Sequence, residues 1–366
     1  MRLNLFPALA ILAIAPAHAG YSLTIPLELQ ADFIETRVSG EDASGSDVYA
    51  TIEPDLRVEA TDWLAFNLGA TIEPVLDPDD NHRLLEDHGL FVRNLNVEFA
   101  SGPLTLTLGK FSARFGIGYE EVPGVYGDTL NADIEVAERL GASLAWRFEG
   151  QNDDAYTVTA GVFRTDTSFL SNSVFTERGR VLDADGEPGN TDGLENYSLA
   201  FDAENAFGAS GLLLHGGVLS LQHDDEGDRH VAFAVGARWE IELDNGAVVT
   251  PLVEYFQSDG ATLPGTDELG DGDQSVLTLG GSYVAGPWNV ALVYGRSEID
   301  AGLMGDLSEH TDFAQVSVGY AFENGIGVDI GYLYGETRLS GGGFDEDVEV
   351  ESLGLLLSYE FSAGDL

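Results

Sequence analysis

No cysteine occurs in the 366 residues, which excludes thiol nucleophiles, disulfide staples and cysteine-ligated zinc. Lysine is almost as scarce. Lys110 is the only one, and 16 Lys and Arg together stand against 63 Asp and Glu, for a net charge of −47. So few cations build no basic patch, and no nucleic-acid motif is present. Long apolar runs are missing too, since nothing beyond the first 19 residues approaches the ~20 continuous apolar residues of a membrane helix. No shift of composition and no linker-like stretch divides the chain, so one large domain is expected.

What is present points to strands. Forty-five Gly, 13 Tyr and 19 Phe, with apolar residues in short bursts, predict an all-β chain of many strands and tight turns. The first 19 residues stand apart: Arg2 is a short positive region, Leu3 to Ala15 an apolar one, and Ala17-His18-Ala19 a small-x-small cleavage site. Residues 1–19 are expected to be a secretory signal peptide, with residues 20–366 forming the mature domain.

The strand faces say where an exported β protein would sit. From Val231, the odd positions Val231, Phe233, Val235, Ala237, Trp239, Ile241 and Leu243 are apolar, while the even positions are small or charged. The same split recurs from Ile326 to Tyr334 and from Leu353 to Phe361. One lipid-like face and one wet face predict a transmembrane antiparallel β-barrel, with Val235 and Leu355 toward lipid and Ala234 and Gly354 toward the lumen. About sixteen strands, from 22–38 to 347–361, are expected by this alternation. Short turns such as Asp244-Asn245-Gly246 and Asn324-Gly325 alternate with a longer set at 39–46, 75–88, 112–139, 167–196, 224–229, 260–273, 300–310 and 340–346. Trp63, Trp146, Trp239 and Trp288 all fall near short turns, as an interfacial aromatic girdle would place them.

The longest run in the first half that refuses to alternate is Lys110 to Arg139. Its flanks are two-faced strands, Leu104-Thr105-Leu106-Thr107-Leu108 before it and Leu140 to Phe148 after it. A loop of this length, with its own Gly, Pro and carboxylates, is expected to be folded in and functional.

With a signal peptide, about sixteen strands, a long third loop and a last strand reading Ser352-x-Gly354-x-x-Leu357-x-Tyr359-x-Phe361, the chain resembles Gram-negative outer-membrane porins. Leu108-Gly109-Lys110-Phe111 is similar to a porin motif, and the region from there to Glu138-Arg139-Leu140-Gly141 also resembles siderophore porins. Ser362 to Leu366 depart from the pattern, because such porins usually finish on the terminal aromatic. The resemblance implies a water-filled outer-membrane channel for passive diffusion of small hydrophilic solutes, with the third loop narrowing the lumen. It implies outer-membrane lipid and lipopolysaccharide as surroundings and the barrel assembly machinery as a folding partner, and it leaves a homotrimer open. A substrate-specific porin and a closed barrel serving adhesion or envelope structure remain as alternatives.

On that reading the constriction carries Glu120, Glu121, Asp128, Asp133, Glu135 and Glu138, facing Lys110, Arg114 and Arg139 across the passage. The lumen wall carries Arg57, Arg147 and Arg238 with Glu240 and Glu242, among many further carboxylates. Rings of Asp and Glu in a narrow wet pore favour cations, so a cation preference is expected. Salt adaptation would also explain the acidity.

No enzyme motif competes. His82, His88, His215, His223, His230 and His310 form no zinc or nucleophile motif and read as surface histidines. Asp183, Asp185, Glu187, Asn190 and Asp192 offer hard oxygens for calcium, but Pro188 and Leu194 stand where a calcium loop needs Gly and Glu, so a solvated loop is expected. No cofactor or resident metal is expected.

Overall fold

The computed structural model describes residues 20–38, 41–77, 82–127, 129, 134–150, 153–182, 188–223, 228–261, 272–301, 307–341 and 344–364. The expected signal peptide, and Asp128, Asp133, Asp183, Asp185 and Glu187, lie outside the described residues.

One sheet contains β1 (Gly20–Val38), β2 (Glu41–Ile52), β3 (Asp55–Thr61), β4 (Leu64–Pro74), β5 (His82–Leu84), β6 (His88–Ser101), β7 (Leu104–Phe111), β8 (Arg139–Glu149), β9 (Ala155–Thr165) and β10 (Val174–Phe175). It continues with β11 (Asn196–Glu204), β12 (Leu212–His223), β13 (Asp228–Trp239), β14 (Ile241–Glu242), β15 (Val248–Ala261), β16 (Gly272–Ala285), β17 (Trp288–Ala301), β18 (Leu307–Ala321), β19 (Ile326–Gly341) and β20 (Phe344–Gly364). β2 with β3, and β13 with β14, act as single interrupted strands, while β5 and β10 are short additions in loops. The remaining framework is a 16-strand antiparallel barrel. It is closed by β1 and β20, which pair from Ser22↔Gly364 to Val38↔Val348.

The expected strands are all found, with several ends extended by a few residues, as in β18 from Leu307 and β20 from Phe344, and one boundary moved further. The first long connection was expected over 39–46, but Glu41–Ile52 pairs with β1 up to Val38↔Glu41, so only residues 39–40 join the two strands. The small and polar residues Asp42, Ala43, Ser44, Gly45 and Ser46 look like loop in the sequence, yet pairing with Phe33 to Arg37 of β1 holds them in the ladder.

The alternation translates directly into two faces. Val231, Phe233, Val235 and Trp239 are exposed, while the intervening Ala232 and Ala234 are buried. Leu353, Leu355, Leu357, Tyr359 and Phe361 repeat the exposed set on β20, as Ile330 and Tyr332 do on β19. So many large apolar side chains on the outside of a closed barrel require a hydrocarbon surrounding rather than water. At the rim of short turns, rings meet in series. Trp146, Phe148, Tyr156 and Phe201 follow one another with ring centroids 5.1, 5.4 and 6.1 Å apart, the last two pairs stacked, and Trp288, Tyr320 and Phe322 meet edge to face at 4.9 and 4.8 Å. Gly246 and Gly325 supply the positive φ, 77° and 86°, that these tight turns need.

Two irregularities shape the inner wall. Pro54 has no N–H to give the ladder, so β2 and β3 part at Glu53-Pro54, where Glu53 N–H bonds to Pro26 O at 3.1 Å. On β6 a bulge leaves Arg93 unpaired, because Gly69 faces Asn94 and Ala70 faces Val92.

Candidate functional site

Residues 112–138 connect the adjacent strands β7 and β8, yet their bonds reach strands far from both. His215 Nε2 on β12 bonds to the carbonyl of Phe115. The N–H groups of Ile117 and Gly118, at the start of a single helical turn (Gly118–Glu121), donate to Glu254 on β15 at 2.6 and 2.8 Å. Gln315 on β18 donates to Pro123 O at 2.8 Å and accepts from Tyr126 N–H at 3.0 Å, while Val125 N–H donates to Ser317 at 3.1 Å. Tyr126 Oη donates to Asp32 on β1 at 2.7 Å and lies 2.8 Å from Ser352 Oγ on β20. Every partner has the parity opposite to the exposed apolar side chains.

The wall beneath this path is made of small residues. An added Cβ would overlap the Phe115 carbonyl at Gly217, stand 2.8 Å from Ile117 Cδ1 at Gly236, stand 2.8 Å from Val125 Cβ at Gly331, and overlap the Tyr126 hydroxyl at Gly354. Between these glycines the wet face turns apolar. Phe115, Ala113 and Val136 pack with Ala234, Phe256 and Val276, and Val125 and Tyr126 pack with Val293, Phe313 and Leu333. The loop is thus a seated element with its own core. Burial, and then the hydrogen bond to Asp32, raise the Tyr126 hydroxyl well above its usual range, so it stays a donor at any ordinary pH.

The charged residues divide into several groups. Lys110 was expected to face acids across the passage. Instead it is fully buried, with Nζ 2.7 Å from both Glu138 and Asp166 and 3.0 Å from Leu170 O. Glu138 is shared with Arg178 at 2.6 Å, and the Arg178 guanidinium lies 3.8 Å over the Phe91 ring. These bonds tie the ends of the loop to the segment between β9 and β11. Arg139 likewise turns to Thr165 Oγ1, at 2.5 Å. Arg114 does face acids, bridging Glu120 at 3.0 Å and Asp202 at 2.9 Å, and Glu121 reaches Arg238 at 3.3 Å. Glu135 is half-buried, and burial first, then the neighbouring Glu120, push its carboxyl up from 4.5 to about 7.

Beside the incoming limb of the loop, β1, β3, β4 and β6 to β9 line a cavity of ≈630 Å³ with Asn67, Asn94, Asn96, Thr105 and Thr107 together with Arg57 and the loop's Arg114. Arg57 bonds to Glu98 at 2.5 Å and Glu59 at 3.2 Å. Arg147 grips Glu204 with two bonds, at 2.7 and 2.8 Å, near the short-turn rim, where Glu240 and Glu242 are exposed.

Sequence reasoning missed Arg93, Arg178, Asp166 and His215. The parity of Asn94, Asn96 and Glu98 assigns Arg93 to lipid, but the bulge turns it inward onto Glu53 and onto Asp55 at 2.7 Å. His215, read as a surface histidine, is buried between Asp202 Oδ1, at 2.8 Å from Nδ1, and Phe115 O. Its inward parity on β12 was the available signal. Asn190, considered as a calcium ligand, is buried and donates to Leu182 O at 2.7 Å.

No protein-family model and no curated protein matches the chain. Solved structures do. The outer-membrane channel DcaP of Acinetobacter baumannii aligns over 94% of this chain and 97% of its own, with TM-score 0.62 and 13% identity. OmpF of Salmonella typhi, solved with daunomycin, aligns over 93% and 97% with TM-score 0.57 and 14% identity. An anion-selective porin from Comamonas acidovorans aligns over 93% and 100% with TM-score 0.50 and 10% identity. At these identities the likeness is one of architecture, and the chain has the sixteen-stranded fold that these outer-membrane barrels share.

Proposed function

We propose that the protein is an outer-membrane porin. It would be exported by a signal peptide cleaved after Ala19 and would pass small hydrophilic solutes by diffusion, with a preference for cations. The observation that carries this reading is the seating of residues 115–126 on the polar face of β12, β15, β18, β20 and β1, which supports residues 112–139 as the constriction. An apolar outside, a polar cavity wall and a loop held across the interior together describe a narrowed aqueous path. Channels and porins among the neighbours support the reading. A homotrimer in outer-membrane lipid and lipopolysaccharide, inserted by the barrel assembly machinery, completes it.

The cation preference rests on the residues and not on the fold, since one neighbour of the same fold is named anion-selective. Nearly every cation on the inner face is consumed by a carboxylate: Arg57 by Glu59 and Glu98, Arg93 by Glu53 and Asp55, Arg114 by Glu120 and Asp202. Asp329 and Glu73, at inward parity, then add negative charge on the wet side. Low-dielectric walls focus that field, and salt weakens it as the Debye length falls from ~10 Å at 0.1 M to ~3 Å at 1 M.

The test is planar-bilayer recording of the refolded protein in a KCl gradient at low ionic strength. Stable steps with a cation-selective reversal potential are expected, together with higher conductance after deletion of Gly118 to Ala132. An anion-selective sign, or a deletion without effect, would overturn the selectivity or the constriction respectively.

A further inference from the structure

Among the described carboxylates of the constriction loop, Glu120 pairs with Arg114, Glu121 with Arg238, and Glu138 with Lys110 and Arg178. Glu135 alone forms no ion pair among the described residues. It lines a small cavity that residues 112–116, 118–120 and 134–136 form against Glu254.

The groups around it come from every neighbouring element. The helical turn brings Tyr119 and Glu120, the incoming limb Arg114, and the outgoing limb Glu138. The barrel wall brings Glu53 from the β2–β3 break, Arg93 from the β6 bulge and Glu254 from β15. Arg114 is engaged by Glu120 and Asp202, so it is not a counter-ion for Glu135, and Glu254, itself a carboxylate, is held by two backbone N–H groups. Glu53, Glu120 and Glu138 oppose its ionisation, and Arg93 favours it.

We propose that Glu135 is a proton-operated selectivity element of the constriction. It rests on the channel reading above and names the residue that sets how strongly that channel prefers cations. With a proton, which exchanges directly with water, Glu135 is neutral and each other described carboxylate of the loop is held in an ion pair. Without it, the loop carries one further negative charge in the passage. The upward displacement of its carboxyl to about 7 puts the change near neutral pH.

The experiment is reversal potential in a KCl gradient at low ionic strength, followed from pH 5.5 to 8.5 in the wild type, Glu135→Gln, Glu120→Gln and Arg93→Gln. The wild type should gain cation preference in a step centred near pH 7, and Glu135→Gln should lose that step while still conducting. Glu120→Gln should move the midpoint down and Arg93→Gln should move it up, which identifies the titrating group by its neighbours even if one variant assembles poorly. A conducting wild type with a flat profile, or a Glu135→Gln variant that keeps the step, would overturn this inference and leave the channel standing. Silence of every refolded protein would overturn both.

Discussion

The Glu254 carboxylate accepts from two consecutive backbone N–H groups, Ile117 at 2.6 Å and Gly118 at 2.8 Å, and is itself 2% exposed. A strand on one side of the barrel thereby fixes the first turn of a loop that starts on the other. The N–H groups of a helix start have no partner in their own chain segment, so a carboxylate there replaces water that burial has removed. Hydrogen bonds to a charged group contribute about 1.5–3 kcal/mol each, so Glu254→Ala should destabilise the folded barrel by an amount of that order. Glu254→Gln should be worse than a simple weakening, because its NH₂ can be turned against one of the two donors. Urea unfolding in detergent measures the loss, and recordings should show a noisier, larger conductance as the loop leaves its seat. Unchanged stability with unchanged noise would show that Glu254 does not hold the loop.

Lys110 gives a prediction of the opposite kind from the one its sequence position suggests. Its ammonium lies between Glu138 and Asp166 with no exposure, so Lys110→Met would leave Asp166 buried without its cation. Breaking one partner of a buried pair costs about 3–5 kcal/mol, and the loss should appear in stability and not as a change of ion preference. Acid should mimic it. Burial alone would raise the Asp166 carboxyl, but Lys110 and the Ser168 N–H at 2.9 Å outweigh it and hold it below 3.8. A carboxyl depressed in the folded state contributes stability above its unfolded value, and that contribution is lost as pH falls below 3.8. Unfolding midpoints should therefore drop below about pH 4 in the wild type, and less so in Lys110→Met. Equal acid sensitivity of the two proteins would remove Asp166 from the account.

The barrel was legible because alternation reports a single local fact, which side of a strand meets hydrocarbon, and that fact recurs on every strand. The loop was legible as an interruption of the alternation. Where it would sit was not, although the signal existed: Phe256, Val276, Val293, Phe313 and Leu333 are apolar at inward parity, and Gly217, Gly236, Gly331 and Gly354 are bare there. Apolar or bare positions on a wet face imply that something covers them. Arg93 was beyond reach of parity, since one extra residue on β6 reverses the count beyond it. The destination of Lys110 depended on Asp166 and Glu138, far apart in sequence and brought together only when the loop ends meet the segment after β9.

Neighbouring positions on β20 test the two faces against each other. Leu355 is 40% exposed on the apolar side, and Arg there should cost about 2–4 kcal/mol, as a charge near the bilayer midplane does. Gly354, one residue away, looks from alternation alone like a site where Arg would chiefly alter conduction, and so does Ala234. Neither is free space. A Cβ at Gly354 would overlap the Tyr126 hydroxyl and stand 2.6 Å from Asp32 Oδ1, and Ala234 is fully buried beneath Phe115. Gly354→Ala should thus already destabilise, by about 1–3 kcal/mol for an overpacked site, and should unseat Tyr126. In a Tyr126→Ala background the same substitution should cost less, because the nearer of the two atoms it strikes is gone and Asp32, freed from the tyrosine, can turn aside. Thr105→Arg, on the open wall opposite, should instead leave stability nearly unchanged and lower the cation preference. Urea unfolding and reversal potentials on these variants separate the cases. If Gly354→Ala cost the same with and without the tyrosine, the loop would not rest on that strand.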